Sequence, residues 1–206
     1  DDGATHQGMF DLAYLRSIPN LVVMAPKDEN ELRRMLETAV SCGRPAAVRY
    51  PRGKAVGVPL DASGSPLDIG LGEVLADGRD LAIVAIGAMV QPAAAAAARL
   101  RQEGISARVI NARFVKPLDR TLLCAAAAET GKVLVVEENV LAGGFGGAVL
   151  ELLAREGVGP TKVKCLGIAD EFVEHATQAQ QRRRYGLDEE GIVEAARRML
   201  DGKPPG

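Results

Sequence analysis

Asp2, Thr5 and His6 lie within the short stretch DGATHQG, which runs from Asp2 to Gly8 near the start of the chain. This stretch brings a carboxylate, a hydroxyl and an imidazole close together, with glycines at both flanks. Histidine is the side chain best suited to proton transfer near neutral pH, and glycine allows a backbone to approach a ligand closely. The pattern is typical of a polar pocket that moves protons, although taken alone it is equally compatible with an exposed polar loop.

A second candidate site is the segment RYPRG, Arg49 to Gly53, which follows a predicted strand. Ligands gather beyond the carboxyl ends of strands in α/β sheets, and arginine offers a planar fork of donors for phosphate or carboxylate. Pro51 stiffens the backbone that carries Arg52. The segment is therefore a candidate anion site, but taken alone it is better explained as a pair of surface arginines that pair with acids.

These two stretches, together with FDLAYLRSIPNLVVMAP from Phe10 to Pro26, resemble the 1-deoxy-D-xylulose-5-phosphate synthases, thiamine-diphosphate enzymes of the transketolase superfamily. The DG-x-TH element is shared with transketolases generally, whereas the FDL-x-YLR-x-IPN and YPRG runs are more specific. Weaker similarity continues through NARFVKPLD and VEEN-x₃-GG-x-GG. The resemblance covers most of the chain but only the C-terminal part of such an enzyme. We therefore expect a C-terminal fragment, and a start at Asp1 rather than at Met agrees with this.

The resemblance implies roles for three residues. Asp2 and His6 would be catalytic, lining the pocket in which the thiamine adduct meets its substrates, and Arg52 would bind the phosphate of D-glyceraldehyde 3-phosphate. The implied reaction condenses pyruvate with that aldehyde to 1-deoxy-D-xylulose 5-phosphate and CO2, a precursor of isoprenoids, thiamine and pyridoxal. The resemblance also implies thiamine diphosphate and Mg²⁺ as cofactors of the intact enzyme, a cytoplasmic location and a homodimer.

Two departures from the family pattern bear on how much of the site the chain holds. Ala4 stands where relatives are expected to have Pro or Gln. The GDG motif, which together with a downstream Asn binds the metal and the diphosphate, does not occur in the chain, and the family's cofactor-activating glutamate lies upstream of the DGATHQG stretch. We therefore expect part of the substrate site, no cofactor-binding or metal-binding residue, and an isolated chain that is inactive.

Two other interpretations stay open. Another thiamine enzyme, a transketolase or the β subunit of a 2-oxo-acid dehydrogenase, would explain the missing GDG motif by a separate subunit, although the YLR-x-IPN and YPRG runs oppose it. A non-catalytic α/β module that binds a nucleotide or a partner subunit is the alternative from another class. The glycines of Gly143–Gly147 invite a dinucleotide interpretation, but their spacing does not fit G-x-G-x-x-G, so tight packing of helix against loop is preferred.

Composition excludes several classes of function. The net charge of −2 leaves no electrostatic footprint for nucleic acid or an anionic membrane, and no apolar run approaches the ~20 residues of a membrane span. The cysteines Cys42, Cys124 and Cys165 are far apart and lack metal-type spacing, which indicates a reducing compartment. Because aromatic residues make up only 3% of the chain, an aliphatic core is expected.

The order of elements predicts an α/β fold in two pieces. Leu21–Ala25 and Ala46–Tyr50 are predicted strands on either side of a helix that Asp28 caps, with Glu31 as its capping-box partner, and this β-α-β unit favours a parallel sheet. One buried face is predicted for the helix, made of Leu32, Met35, Leu36, Ala39 and Val40. Residues 1–57 are interpreted as the end of a pyrimidine-binding domain and residues 58–68 as a linker.

Residues 69–206 are predicted to form a transketolase C-terminal domain, a mostly parallel sheet with helices on both faces. Gly72–Ala76 and Leu81–Ile86 are expected to pair as a hairpin, and Pro92 lies in the first turn of an alanine-rich helix that ends at Glu103. The remaining predicted elements are strands at Ala107–Ala112, Lys132–Val136 and Val163–Leu166, and helices from Asp119 to Glu129, from Phe145 to Glu156 and around Ile192 to Leu200.

Several polar residues lie outside these motifs. Glu137 and Glu138 end a predicted strand, where solvation at the surface is at least as good an interpretation as a contact with a partner domain or a cation. His175 has no Cys or His neighbour in the sequence, which argues against a metal role. The run from Arg182 to Arg184 is predicted to be a solvated face rather than a phosphate site.

Overall fold

The computed structural model describes residues 3–61 and 64–201 of the chain. These residues form α-helices and two β-sheets. The helices are α1 Asp11–Leu15, α2 Glu29–Ser41, α3 Val90–Gln102, α4 Arg120–Thr130, α5 Phe145–Arg155, α6 Gln178–Arg184 and α7 Glu189–Leu200. The strands are β1 Val22–Met24, β2 Ala46–Val48, β3 Glu73–Ala76, β4 Leu81–Ala85, β5 Ala107–Asn111, β6 Phe114–Lys116, β7 Lys132–Val140 and β8 Lys162–Ile168. Within the described residues, every helix is too short or too polar to cross a membrane.

The larger sheet has the strand order β3-β5-β4-β7-β8. Strands β5, β4, β7 and β8 run parallel, and the edge strand β3 is antiparallel to β5. The central strand β4 is buried along its whole length, as a parallel strand covered on both faces must be. Helices α3 and α7 pack on one face, and α4 and α5 pack on the other. The predicted mostly parallel sheet with helices on both faces is therefore confirmed.

The alanine-rich helix is also confirmed. α3 carries Pro92 in its first turn, and Gly104, just beyond its end, has a φ of +82°. Its small side chains at Ala93 and Ala96 are fully buried in the core that α3 shares with β4. Alanine is the best helix former, and its small size allows the helix to lie close against the sheet.

The hairpin predicted between the strands now seen as β3 and β4 is wrong, because β5 lies between them. The turn that joins β3 to β4 crosses the start of β5 instead. The amides of Arg79 and Asp80 both donate to the Ser106 carbonyl at 3.0 Å, and a Cβ on Gly78 would lie 2.2 Å from the carbonyl carbon of Ala107. The turn is short and contains a glycine, as a hairpin turn would. The glycine is needed because the turn crosses the backbone of β5, which pairs with both β3 and β4.

The smaller sheet has the order β2-β1-β6. β1 and β2 are parallel and joined through α2, which confirms the predicted β-α-β unit. β6, which the sequence pattern did not predict, pairs antiparallel with β1. Because β6 follows directly after β5 of the larger sheet, it joins the first β-α-β unit to the remainder of the chain.

The cap of α2 is partly as predicted. Asp28 accepts from the backbone amide of Glu31 at 2.8 Å, but the predicted capping-box role of Glu31 is wrong. The Glu31 carboxylate accepts from the amide of Lys27 at 2.8 Å and from the guanidinium of Arg113 at 2.7 Å, and Asn111 donates to it as well. The Glu31 side chain therefore bonds to the charged Arg113, which lies far along the chain, and not to the backbone of the cap residue Asp28.

The predicted buried face of α2 is also partly wrong. Met35 is buried, but Leu36 and Val40 are 49% and 89% exposed. The helix instead turns Glu31, Met35 and Thr38 inward. Polar contacts set this rotation, since Thr38 Oγ1 accepts from the amide of the buried Leu67 at 2.7 Å.

The predicted linker region runs along α2 without regular secondary structure over residues 57–61 and 64–68. Glu29 accepts from the amides of Gly57 and Val58 at 2.6 and 2.9 Å, and Asn30 donates to the Pro59 carbonyl at 2.8 Å. Polar side chains of α2 therefore hold this segment on the helix. Its role as a domain boundary stays a prediction.

Candidate active site

One cavity of about 820 Å³ brings the two candidate segments together. Its lining includes His6 from the DGATHQG stretch and Arg52 from the RYPRG segment. Glu138 of β7 and residues around α6 complete the wall. Asp2, the other predicted catalytic residue, lies outside the described residues.

Local bonds shape the loop that carries His6. The amide of His6 donates to the Gly3 carbonyl at 2.9 Å, which closes a tight turn. The Thr5 hydroxyl and His6 Nδ1 lie 2.8 Å apart in a hydrogen bond, so a proton transfer by this ring would use Nε2. Farther along, the Met9 carbonyl accepts from the amide of Val140 at 2.8 Å. This last bond ties the loop to the end of β7, beside Glu138.

The RYPRG segment leaves the carboxyl end of β2, as predicted for a ligand site in an α/β sheet. The amide of Arg49 donates to the Met24 carbonyl at 2.8 Å, which continues the pairing with β1. Beyond it, residues 50–53 have no regular secondary structure. The Arg52 carbonyl accepts from Gln178 Nε2 at 2.5 Å, so the start of α6 contacts the segment directly.

Glu138 is buried, and the expectation of surface solvation is wrong for it. Arg49 Nη1 donates to its carboxylate at 3.2 Å and Arg182 Nε at 2.7 Å. Burial alone would raise the pKa of Glu138, but the charges and hydrogen bonds of Arg49 and Arg182 outweigh it and hold the pKa below its usual value. A carboxylate that is ionised and buried between two arginines therefore joins β2, β7 and α6 at the cavity.

The prediction of a solvated face for the arginine run is confirmed for Arg183 and Arg184, which are exposed, but it is wrong for Arg182, which is partly buried against Glu138. His175, which the sequence pattern set aside, lines the same cavity as His6, and its ring lies against Gly3 of the N-terminal loop. The signal that could have identified Glu138 is a pair of glutamates directly after an uninterrupted apolar strand, where β7 continues to Val140.

Glu137 of β7 is fully buried, which again contradicts the expected solvation. Its side chain points to the start of α5. Its carboxylate accepts from the amides of Phe145 and Gly146 at 2.6 and 2.7 Å. A Cβ on Gly144 would lie 2.3 Å from this carboxylate, and one on Gly146 would lie 2.7 Å from Cys165 Sγ, so the interpretation as close packing is confirmed at these two glycines. Burial raises the pKa of Glu137 to about 7, although the two amide donors oppose the rise.

The raised pKa of Glu137 predicts that the protein loses stability as the pH rises. The folded state binds this proton more tightly than the unfolded state, since its pKa of about 7 exceeds the ordinary value of 4.5. The stabilisation is therefore complete below about pH 4.5 and is lost as the pH rises through about 7. At about 1.4 kcal/mol per pH unit, the full loss amounts to about 3 kcal/mol.

Urea unfolding of the protein and of Glu137→Gln, measured between about pH 5 and pH 8, checks this prediction. The free energy of unfolding of the wild type should fall relative to the variant by most of that amount. Glu151→Gln is the matched control, because Glu151 is an exposed carboxylate whose pKa is lowered by its hydrogen bond to Arg16. A pH-independent difference between wild type and Glu137→Gln would contradict the assignment.

Comparison with known proteins gives the family. The model of the transketolase pyrimidine-binding domain matches residues 1–56, and the model of the transketolase C-terminal domain matches residues 70–192. Both domains occur in the predicted order. Among solved structures, the chain is similar to a split gene transketolase, described as an inactive beta4 tetramer. The TM-score is 0.87 and the identity 36%, over 98% of this chain and 65% of that chain.

Curated relatives agree with this. The chain is 61% identical over 201 residues to the 1-deoxy-D-xylulose-5-phosphate synthase of Syntrophus aciditrophicus. It is 56% identical over 203 residues to 1-deoxy-D-xylulose-5-phosphate synthase 1 of Geobacter sulfurreducens. Each alignment covers 98% of this chain, and the chain spans about a third of the length of either relative. Since the C-terminal-domain model alone matches most of its residues, the chain belongs to the transketolase family.

Proposed function

We propose that this chain is the C-terminal part of a 1-deoxy-D-xylulose-5-phosphate synthase, called the complete enzyme below. The reaction joins pyruvate to D-glyceraldehyde 3-phosphate and releases CO2. The observation that carries the proposal is that His6 and Arg52 line one cavity of about 820 Å³, a size within the range of about 300–1,000 Å³ for small-molecule sites. The likeness to two synthases over nearly the whole chain supports the choice of reaction.

In this proposal Arg52 binds the phosphate of the acceptor aldehyde, while His6 and Asp2 act on its aldehyde oxygen and its hydroxyl groups. Formation of the new carbon–carbon bond converts the aldehyde oxygen to an oxyanion, which needs a proton. Histidine can supply that proton as a general acid, and a carboxylate close to it in sequence can accept hydrogen bonds from substrate hydroxyls. The planar guanidinium of Arg52 suits a phosphate because two of its N–H groups can bond to two phosphate oxygens.

The residues of this cavity do not fit a site for Mg²⁺ and the diphosphate of thiamine diphosphate. Its buried carboxylate, Glu138, is already held by two arginines. In the part of the chain that the structure describes, no group of three or more His, Cys, Asp or Glu side chains is arranged to hold a metal ion. We therefore assign the cofactor chemistry to other parts of the complete enzyme.

This assignment predicts that the isolated chain binds thiamine diphosphate with Mg²⁺ only weakly. Most of the charge of the cofactor lies on its diphosphate, and without a Mg²⁺ clamp its main anchor is lost. Titration calorimetry of the chain should show no saturable binding at micromolar concentrations, with the complete Syntrophus aciditrophicus synthase as the positive control. Saturable micromolar binding to the isolated chain would contradict the prediction.

The proposed function is tested by assaying the complete enzyme with pyruvate and D-glyceraldehyde 3-phosphate and measuring both CO2 and the ketose phosphate product. A transketolase is the second candidate, favoured by the 36% identity to the split gene transketolase. Turnover with a ketose phosphate donor, and none with pyruvate, would support that candidate and contradict the synthase. The proposal further includes a Mg²⁺-dependent, cytoplasmic homodimer whose product serves isoprenoid, thiamine and pyridoxal synthesis. It rests for these points on the resemblance to the synthases.

A further inference from the structure

The segment that carries Arg52 borders open space on two sides. Residues Tyr50–Gly53 line the 820 Å³ cavity and also a second cavity of about 510 Å³. The segment lacks regular secondary structure, and Tyr50 is largely exposed. Packing from both sides therefore does not determine its position, so its hydrogen-bonded tethers must do so.

The first tether is Glu138 on β7. Arg49 Nη1 donates to its carboxylate and Arg49 Nη2 donates to its backbone carbonyl, both at 3.2 Å. The side chains of Arg49 and Glu138 are only 11% and 8% exposed, so water screens this contact poorly. These bonds fix the start of the RYPRG segment to β7 of the larger sheet.

The second tether is α6, which bonds directly to the segment at one point and to the first tether, Glu138, at another. Gln178 Nε2 donates to the Arg52 carbonyl at 2.5 Å, and Arg182 Nε donates to Glu138 at 2.7 Å. The two residues are four positions apart and share one face of the helix. Thr177 and Gln180 cap the start of α6 with a reciprocal pair of bonds, which holds Gln178 in place.

We propose that Glu138 and Gln178 are positioning residues for acceptor recognition: from the C-terminal domain, they hold the RYPRG segment where Arg52 can bind the acceptor phosphate. The inference rests on the proposed function of Arg52. Without the Glu138 charge, Arg49 and Arg182 would face each other without the buried anion that they share. Without the Gln178 amide, the Arg52 backbone would lose its contact with α6.

Steady-state kinetics of the complete enzyme test the inference. Gln178→Ala should raise KM for D-glyceraldehyde 3-phosphate about two- to tenfold, the range for one neutral hydrogen bond. Glu138→Gln should raise it about tenfold or more, since charged hydrogen bonds count for more. KM for pyruvate should stay unchanged, and turnover of unphosphorylated D-glyceraldehyde should be unaffected. Glu138→Asp keeps the charge and should recover part of the loss.

Glu31→Gln is the matched control for Glu138→Gln. Glu31 is also buried and also pairs with an arginine that is distant in sequence, Arg113, but it is absent from the lining of the larger cavity. Glu31→Gln should lower the melting temperature and leave KM for D-glyceraldehyde 3-phosphate unchanged. If it reproduces the kinetic pattern of Glu138→Gln, general destabilisation explains both and the inference is overturned.

Two further outcomes would overturn the inference. One is an unchanged KM for the phosphorylated aldehyde in both Glu138→Gln and Gln178→Ala, and the other is an equal loss with D-glyceraldehyde. Gln178 is exposed, so Gln178→Ala decides the question alone if Glu138→Gln does not fold. Arg52→Ala separates this inference from the proposed function. If Arg52→Ala itself shows no phosphate-dependent effect, the proposed function fails; if only the Glu138 and Gln178 variants lack an effect, the positioning role alone fails.

Discussion

His6→Ala in the complete enzyme should lower kcat by about 10²–10⁴, the usual range for a lost acid–base group. The imidazole is placed for this work by the turn to Gly3 and by the hydrogen bond between Thr5 and Nδ1, which leaves proton transfer to Nε2. Because the group acts on the reacting oxygen, the loss should fall on kcat rather than on KM for the phosphorylated aldehyde. Single-turnover measurements with pyruvate and D-glyceraldehyde 3-phosphate would follow the condensation step itself.

His175→Ala is the matched control for His6→Ala, because it removes the other histidine of the same cavity. His175 is exposed and is assigned no proton transfer. His175→Ala should therefore lower kcat much less than His6→Ala does. Equal losses in kcat for the two variants would contradict a specific role of His6, and so would full activity of His6→Ala.

Arg52→Ala should raise KM for D-glyceraldehyde 3-phosphate by about ten- to a hundredfold and leave KM for pyruvate nearly unchanged. A charged hydrogen bond contributes roughly 1.5–3 kcal/mol, which is about one to two decades in affinity. Arg52→Lys should recover only part of the loss, because an ammonium group cannot form the paired bonds of a guanidinium. The measurement is steady-state kinetics with the aldehyde concentration varied at saturating pyruvate.

Unphosphorylated D-glyceraldehyde is the sharpest probe of Arg52. The penalty of Arg52→Ala should largely vanish with this substrate, since no phosphate remains to be bound. Arg183→Ala serves as the control variant, because Arg183 lies on α6 with an exposed side chain that pairs with Asp188. An equal penalty for D-glyceraldehyde and its phosphate would make Arg52 a structural residue and contradict its assignment to the phosphate.

Local chemistry in the sequence was sufficient for many of the elements. Asp28 and Asp119 each cap a helix as predicted, and Pro92 and Gly104 lie at the two ends of α3. These signals act within one turn of a helix, so neighbouring residues determine them. Apolar runs likewise predicted β4 and β7 because a parallel strand buried on both faces needs uninterrupted apolar side chains.

Long-range pairing could not be predicted in the same way. The turn between β3 and β4 has the length and the glycine of a hairpin, yet β5 lies between the two strands. The apolar pattern of α2 predicted burial of Leu36 and Val40, but both are exposed. What covers a helix face or pairs with a strand depends on segments far along the chain, and a local pattern carries no information about them.

The candidate site shows the same division. The sequence by itself determined which side chains could act, since DGATHQG and RYPRG contain the imidazole and the guanidinium that proton transfer and phosphate binding require. Only the tertiary structure decided that His6 and Arg52 line one cavity and that Glu138 is buried between two arginines beside them. Chemical capability belongs to a side chain and can be identified from its type. Burial and charge pairing depend on where β2, β7 and α6 converge, and that arises only when the chain folds.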